Sequence, residues 1–268
     1  MTLPTLRHSA AMVHDGRNPS PSRPSVERIA AALEFVADHG WVSAAELAAA
    51  LGVDRSTGWR LARSLEKVGW LHQDPGAHRY RLGLPLFELG ARVLDTIDPR
   101  GEVRRVMTEL VATTGESVDL AIRDGDSVVF IDKMDGTGEV RAFTRTGQRA
   151  RLHAAAAGKV FLAAMGAAEL GRYLDGPLTP YTPATITTRD ALEAAIATTR
   201  EQGYAVNRGE LFAEAGALAV PVIDERGTTV AALGLNIPLS RLTADRIRDL
   251  VTDLRDASAR LAPGFHLA

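Results

Sequence analysis

The sequence contains no cysteine. That excludes disulfides, thiol catalysis and cysteine-ligated metal or iron–sulfur sites. It fits a reducing cytoplasm, the compartment expected for this chain. No apolar run approaches the ~18 residues of a membrane span, so no membrane partner is expected. Net charge is only −2. A chain that is basic throughout is therefore excluded, and any nucleic-acid contact has to come from a local patch. The first 24 residues lack an apolar signal-peptide core and hold Pro4, Pro19, Pro21 and Pro24. A secretory leader is not expected there. Residues 1–24 are expected to form a disordered arm, with phosphate contacts by Arg7, Arg17 and Arg23 as the alternative.

What is present is ordinary globular material: 46% hydrophobic and 24% charged residues over 268 positions. At roughly 100–200 residues per domain, two domains are expected. Ser25 precedes Val26, Ile29, Ala30, Leu33 and Val36 at helical spacing, which predicts a helix over residues 26–38 ended by Gly40. Ser43 and Glu46 form a capping-box pattern ahead of a short helix, Ala44–Leu51. Gly52-Val53 is a turn, and Asp54 caps a third helix running to about Lys67. Short helix, glycine turn, longer helix is a helix-turn-helix.

The third helix has two faces. Leu61, Leu65 and Val68, with Ala62, are expected to point inward. Ser56, Trp59, Arg60, Arg63 and Lys67 fall on the other face. Residues 54–67 carry a net charge of +2, whereas Lys/Arg and Asp/Glu balance over residues 25–83. Hydroxyls and arginines near the start of such a helix are the chemistry that reaches base edges and phosphates. A solvated basic surface, or a protein-interaction module, is the alternative. Gly69–Gln73 and His78–Leu82, joined by Asp74-Pro75-Gly76, read as a hairpin wing. His78 and Arg79 stand at its expected tip, within reach of the DNA backbone or minor groove.

Pro85 opens a linker helix over residues 84–98. Its leucines suit either dimer packing or burial as a structural strut. Residues 100–114 predict another helix. Ser117–Ile122, Val128–Met134, Val140–Thr144, Tyr204–Val206, Ala217–Ile223 and Thr229–Asn236 read as strands. Leu152–Met165, Arg189–Gln202 and Thr243–Leu261 read as helices. Blocks of strands interrupted by helices indicate an α+β fold with a mostly antiparallel sheet.

Candidate chemistry is sparse. Gly158-Lys159 looks like the end of a phosphate loop, but His153 stands where the first glycine is required and Val160 replaces the hydroxyl residue. No metal-ligand spacing and no nucleophile–base constellation is present, so no metal, cofactor or catalytic residue is expected. Glu210 and Glu214, spaced as on one helical turn, read as a solvated pair. His153 reads equally as a ligand-polarising group or a hydrogen-bonded structural histidine.

In this order and spacing, a series of short motifs resembles an IclR-type transcriptional regulator over about residues 25–262. The motifs are Leu47-Ala48, Arg55-Ser56-Thr57, Arg60-Leu61, Leu65-Glu66, Val68-Gly69 and Tyr80-Arg81-Leu82-Gly83. They continue with Gly147, Leu152-His153-Ala154, Gly158-Lys159, Glu201-Gln202-Gly203-Tyr204-Ala205, Pro221-Val222 and Gly227. The resemblance implies a winged helix-turn-helix over 25–83, the linker helix, and a GAF-like effector-binding and oligomerisation domain over 99–268. It implies double-stranded operator DNA, a small organic or aromatic acid as effector, and a homodimer or dimer of dimers.

By residue, the resemblance places DNA contacts on Arg55, Ser56, Thr57 and Arg60. Trp59, Arg63, Lys67 and Arg79 join them from the pattern of the chain. Effector contacts fall on Asp119, His153, Gly158, Asn207, Ala217, Leu218, Gly234 and Asn236. Three departures stand out. Gly58 and Ala62 replace larger apolar residues. Arg151 replaces a proline. Ala217 and Gly234 replace the cysteine and serine of keto-acid binders, which points to a larger or less polar effector. A small-molecule-converting enzyme with an appended helix-turn-helix is the alternative.

Overall fold

The computed structural model describes residues 25–97, 101–138 and 144–261. The expected arm, and most of the strand expected at 140–144, lie outside the described residues. The chain divides between Val93 and Leu94 into two compact units.

The first unit runs α1 (Ser25–His39), β1 (Val42–Ser43), α2 (Ala44–Ala50), α3 (Arg55–Lys67), β2 (Leu71–Gln73), β3 (Arg79–Leu82) and the start of α4 (Leu84–Ile97). Each start signal has a local cause. Gly40, at φ +70°, ends α1 in a conformation that costs other residues about 1 kcal/mol or more. At α2, the Glu46 amide donates to Ser43 Oγ (3.2 Å) and the Ser43 amide donates to Glu46 Oε2 (2.6 Å). That is the reciprocal capping box the sequence showed. Ala32, Val36, Leu47, Ala62, Leu65, Leu71 and Tyr80 form the core. The strands pair in the order β1-β3-β2, antiparallel. The two-residue β1 was not expected from sequence. Val68 corrects the sequence reading: it is the C-cap of α3 and is 58% exposed, because the helix ends before its spacing would turn it inward.

The second unit holds α5 (Glu102–Thr114), β4 (Ser117–Asp124), β5 (Ser127–Met134), β6 (Arg149–Arg151), α6 (Ala156–Ala164), α7 (Ala167–Leu174) and α8 (Arg189–Gln202). It continues with β7 (Ala205–Arg208), β8 (Ala215–Ile223), β9 (Thr229–Pro238) and α9 (Ala244–Leu261). Thr243 caps α9 through the Arg246 amide at 3.3 Å. The six strands form one antiparallel sheet in the order β6-β5-β4-β9-β8-β7.

The two faces of this sheet differ in residue size. One face carries Val118, Leu120, Leu218, Val220, Leu233 and Leu235, packed against α5 and α9. The other carries Ala121, Ala205, Ala219 and Ala232, packed against α6, α7 and α8. Alternation along each strand separates the two sets.

One expected helix is two elements. Leu152–Ala154 is a single 3₁₀ turn, Ala155 is extended (φ −116°, ψ 145°), and α6 starts only at Ala156. The break frees a helix N-terminus in the middle of the domain. Helix α7 and strand β6 were also not expected.

Candidate functional site

The first candidate surface is the outer face of α3. Ser56, Trp59, Arg60, Arg63 and Lys67 are exposed there, while Gly58, Ala62 and Leu65 are buried. Asp54 organises its start. Its Oδ1 accepts from the Thr57 amide (2.9 Å) and from Ser56 Oγ (2.6 Å), and its Oδ2 accepts from Thr57 Oγ1 (2.7 Å). These bonds, the Ser56 bond foremost, hold the Asp54 carboxyl well below the usual carboxylate range. With its hydroxyl hydrogen donated to Asp54 in a hydrogen bond, Ser56 keeps oxygen lone pairs able to accept. Arg60 Nη2 donates to Thr57 Oγ1 at 3.1 Å, which fixes the guanidinium on the outer face. Arg63 lies 5.9 Å from the Trp59 ring centroid and pairs with Glu66 at 2.9 Å. Trp59 itself is 55% exposed, an unusual position for an indole without a partner surface.

Arg79 is a correction. It lies on β3 rather than at the hairpin tip. Its guanidinium donates to the Trp41 carbonyl (Nη2, 2.5 Å) and pairs with Glu46 at 3.2 Å. Those contacts tie the wing to the start of α2. The tip is formed by Asp74, whose Oδ1 accepts from the Gly76 and Ala77 amides (2.8 and 2.7 Å).

The second candidate is a narrow cavity of about 30 Å³ between the small-residue face of the sheet and α6. Strand register builds its floor. Asn207 pairs with Ala217, Ala217 with Asn236, and Asn236 with Ser117. Two residues along, Ala219 pairs with Gly234 and Gly234 with Asp119. Both rows therefore face the same way. Alanine and glycine in these rows leave the space that Leu and Val fill on the other face.

Five of the expected effector residues, Asp119, Asn207, Ala217, Gly234 and Asn236, meet at this cavity. Asp119 is buried, and its Oδ2 accepts from Asn236 Nδ2 at 2.5 Å. Burial pushes its pKa up to about 6 against the opposing hydrogen bonds of Asn236 and Thr144. A Cβ on Gly234 would run into Asp119 Oδ1, so the glycine makes the room that the buried carboxyl occupies. Asn207 donates to the Ala154 carbonyl (2.6 Å) and accepts from the Glu210 amide (3.0 Å), and so clamps the turn before α6.

Three expected residues send no side chain into the cavity. Leu218 lines it, but its side chain packs in the opposite core, because alternation separates it from Ala217 and Ala219. His153 is fully buried outside the cavity. Its Nδ1 lies 2.9 Å from Tyr173 Oη and its Nε2 lies 3.0 Å from the Thr179 carbonyl. Burial depresses its pKa. A neutral ring that accepts from Tyr173 and donates to Thr179 satisfies both contacts, so His153 is structural. Gly158 is pressed against the Leu152 backbone, where any Cβ would clash.

Sequence reasoning missed Phe130, Thr144, Leu211, Phe212, Ala215 and Gly216, which also line the cavity. It also misread Glu210, which is no helix-surface residue. Lys159 Nζ donates to both Glu210 carboxylate oxygens and to the Val206 carbonyl, each at 2.7 Å, with both side chains buried. Burial lowers the Lys159 pKa while Glu210 opposes that shift. The pair pins the loop that carries Leu211 and Phe212. Arg151, in place of a proline, uses its amide: it donates to Tyr181 Oη at 3.1 Å, a bond proline cannot make.

Among the described residues, no group of three His, Asp or Glu is placed to hold a metal ion. No helix among them is long and apolar enough to cross a membrane.

Comparison with known proteins agrees with this geometry. The family model described as the IclR helix-turn-helix domain matches residues 25–75. The model described as the C-terminal part of the bacterial transcriptional regulator IclR matches residues 91–262. The HTH-type transcriptional regulator XynR of Escherichia coli K12 is 38% identical over 213 residues, 79% of this chain and 84% of that protein. A crystal structure of an IclR transcriptional regulator from Alicyclobacillus acidocaldarius superposes with a TM-score of 0.78 at 31% identity, over 90% of this chain and 98% of its own. An IclR homologue from Microbacterium hydrocarbonoxydans, crystallised with 4-hydroxybenzoate, gives 0.75 at 26% identity, over 88% and 96%. The chain belongs to the IclR family of bacterial transcriptional regulators, with a DNA-binding and an effector-binding domain, and is a regulator rather than an enzyme.

Proposed function

We propose that this chain binds a specific operator in the cytoplasm as a homo-oligomer, and that a small organic or aromatic acid in the second unit sets its operator affinity. The observation that carries the DNA half is the exposed, pre-ordered face of α3. Asp54, Ser56, Thr57 and Arg60 form one hydrogen-bonded chain there, with Trp59 and Arg63 beside it. Arg55, Ser56, Thr57, Trp59, Arg60, Arg63 and Lys67 are the proposed contacts.

The acid is supported by the start of α6. Its first amides have no intrahelical partner and no side chain caps them. Ala155, Ala156 and Ala157 line the cavity, so the positive end of the helix faces the ligand space. The Microbacterium relative was crystallised with an aromatic acid, 4-hydroxybenzoate. Exposed Leu84 and Phe87 on α4 support self-association, since large apolar side chains on one helix favour a second copy.

Effector and DNA are coupled by linkage: the acid favours one spacing of the two DNA heads, and only one spacing matches the half-sites. A useful shift needs a few kcal/mol of differential affinity. The test is a thermal-shift screen of organic and aromatic acids on the full chain, followed by gel shifts on the promoter beside its own gene. An acid that raises the melting temperature and changes operator affinity supports the proposal. Failure of all acids to do either rejects the effector class.

A further inference from the structure

One side chain on the outer face of α3 is not explained by charge. Arg55, Trp59 and Arg63 follow one another at four-residue spacing, so the indole stands between two arginines on one stripe of the helix. All three are exposed, and Trp59 is the one exposed aromatic of α3. Arg63 lies over the indole at 5.9 Å and is itself tied to Glu66 at 2.9 Å. The ring is thus backed by a fixed cation, a contact that favours one placement of the indole. More than half of the residue still meets solvent.

The family match says what kind of partner covers this face. Residues 25–75 match the IclR helix-turn-helix domain, and α3 is the second helix of that motif. Such a helix lies in the major groove with its N-terminal part against the base edges. Trp59 is the fifth residue of α3. An indole has one donor and no acceptor, so it cannot pair with the exocyclic amines of adenine or cytosine. Phosphates are met better by the exposed cations Arg55 and Lys67. What Trp59 chiefly offers is apolar area, and the apolar group that the major groove presents is the C5 methyl of thymine.

We propose that Trp59 covers thymine methyl groups in the operator, an apolar reading of T·A pairs beside the hydrogen-bonded contacts of its polar neighbours. This rests on the operator-binding proposal and deepens it by naming the group that is read. The test uses the promoter fragment beside the gene, prepared once with thymine and once with uracil, which is thymine without the methyl. Each is titrated by fluorescence anisotropy, at one salt concentration, with the unmodified full chain, Trp59→Ala and Trp59→Phe.

The unmodified chain is expected to bind the thymine fragment roughly fourfold tighter for each methyl covered, the ratio that about 0.8 kcal/mol per buried apolar carbon gives. Trp59→Ala is expected to bring that ratio toward one, mainly by weakening the thymine complex. Trp59→Phe, which keeps an apolar ring without the N–H, is expected to keep much of it. Equal binding of both fragments by the unmodified chain overturns the inference and leaves operator binding standing. A ratio that survives in Trp59→Ala overturns it too, because another side chain then reads the methyls. A ratio lost as fully in Trp59→Phe as in Trp59→Ala assigns the contact to the indole N–H and also overturns it. Binding to neither fragment overturns the operator proposal and this inference with it. Each ratio is taken within one protein, and the comparison on the unmodified chain does not depend on any variant folding.

Discussion

Gly58 on α3 lies so close to Ala48 on α2 that a Cβ at 58 would stand 2.5 Å from the Ala48 Cβ and 2.9 Å from its Cα. The obstacle is mostly backbone, with the Ala44 carbonyl oxygen also at 3.0 Å, so no flexible side chain can move aside. The glycine that looks like a defect in a helix is the contact that sets the helix-turn-helix angle. Gly58→Ala gains about 1 kcal/mol of helix propensity. It loses about 1–3 kcal/mol to overpacking, with the backbone contact at the upper end. A net loss of stability is expected in denaturant titration, together with weaker operator binding as α3 shifts. A raised unfolding midpoint would contradict the close approach.

The Lys159–Glu210 pair gives a second test. Both side chains are buried, and each charge depends on the other. Lys159→Met is expected to lower stability by about 3–5 kcal/mol, because it strands a buried carboxylate. Adding Glu210→Leu removes the stranded charge and is expected to recover most of that loss. A double variant as unstable as the single one would show that packing, rather than charge, governs the site.

Asp119 gives a pH test whose sign is opposite to that of a salt-bridged acid. Burial raises its pKa in the fold from 3.8 to about 6. Between about pH 4 and pH 6 the folded chain keeps this proton while the unfolded chain releases it. Stability from this group is therefore present below pH 4 and is lost as pH rises through 6, about 3 kcal/mol in all. Asn236, Thr144 and Lys133 face the carboxyl and lower its pKa, so they limit the shift. Asp119→Asn removes this dependence. The variant is expected to gain stability relative to the unmodified chain between pH 4 and pH 7, read as the difference in urea midpoints. A difference that does not change with pH would show an ordinary carboxyl at this position.

Much of the first unit was legible because its signals are local. Ser43 with Glu46, Asp54 before α3, and Gly40 after α1 act within one helical turn, and they formed the caps they implied. Val68 went wrong for the same reason: periodicity was carried one residue past the point where the helix stops. In the second unit the long strands were visible, but the break at Ala155 was not. A run of alanines has no period and no breaker, so only the tertiary contact of Asn207 with the Ala154 carbonyl marks it. Leu218 lines the cavity, while its side chain follows the alternation with Ala217 and Ala219 into the opposite core. Lys159 and Glu210 are 51 residues apart in sequence, and no local pattern joins them. Arg79 looked like a free wing cation because its partners, Trp41 and Glu46, come from a distant part of the chain.

The contrast between Arg60 and Arg79 carries the central claim. Both are arginines of the winged helix, but Arg60 lies on the outer face of α3 and Arg79 is engaged with Trp41 and Glu46. The deciding measurement is fluorescence anisotropy of a promoter fragment titrated with the unmodified chain, Arg60→Ala and Arg79→Ala at several salt concentrations. Arg60→Ala is expected to lose about 1–3 kcal/mol of specific binding if it meets a base edge, or to flatten the salt slope by about one if it meets phosphate. Arg79→Ala is expected to keep the slope of the unmodified chain. Unchanged affinity and slope for Arg60→Ala would mean that the outer face of α3 does not meet the duplex.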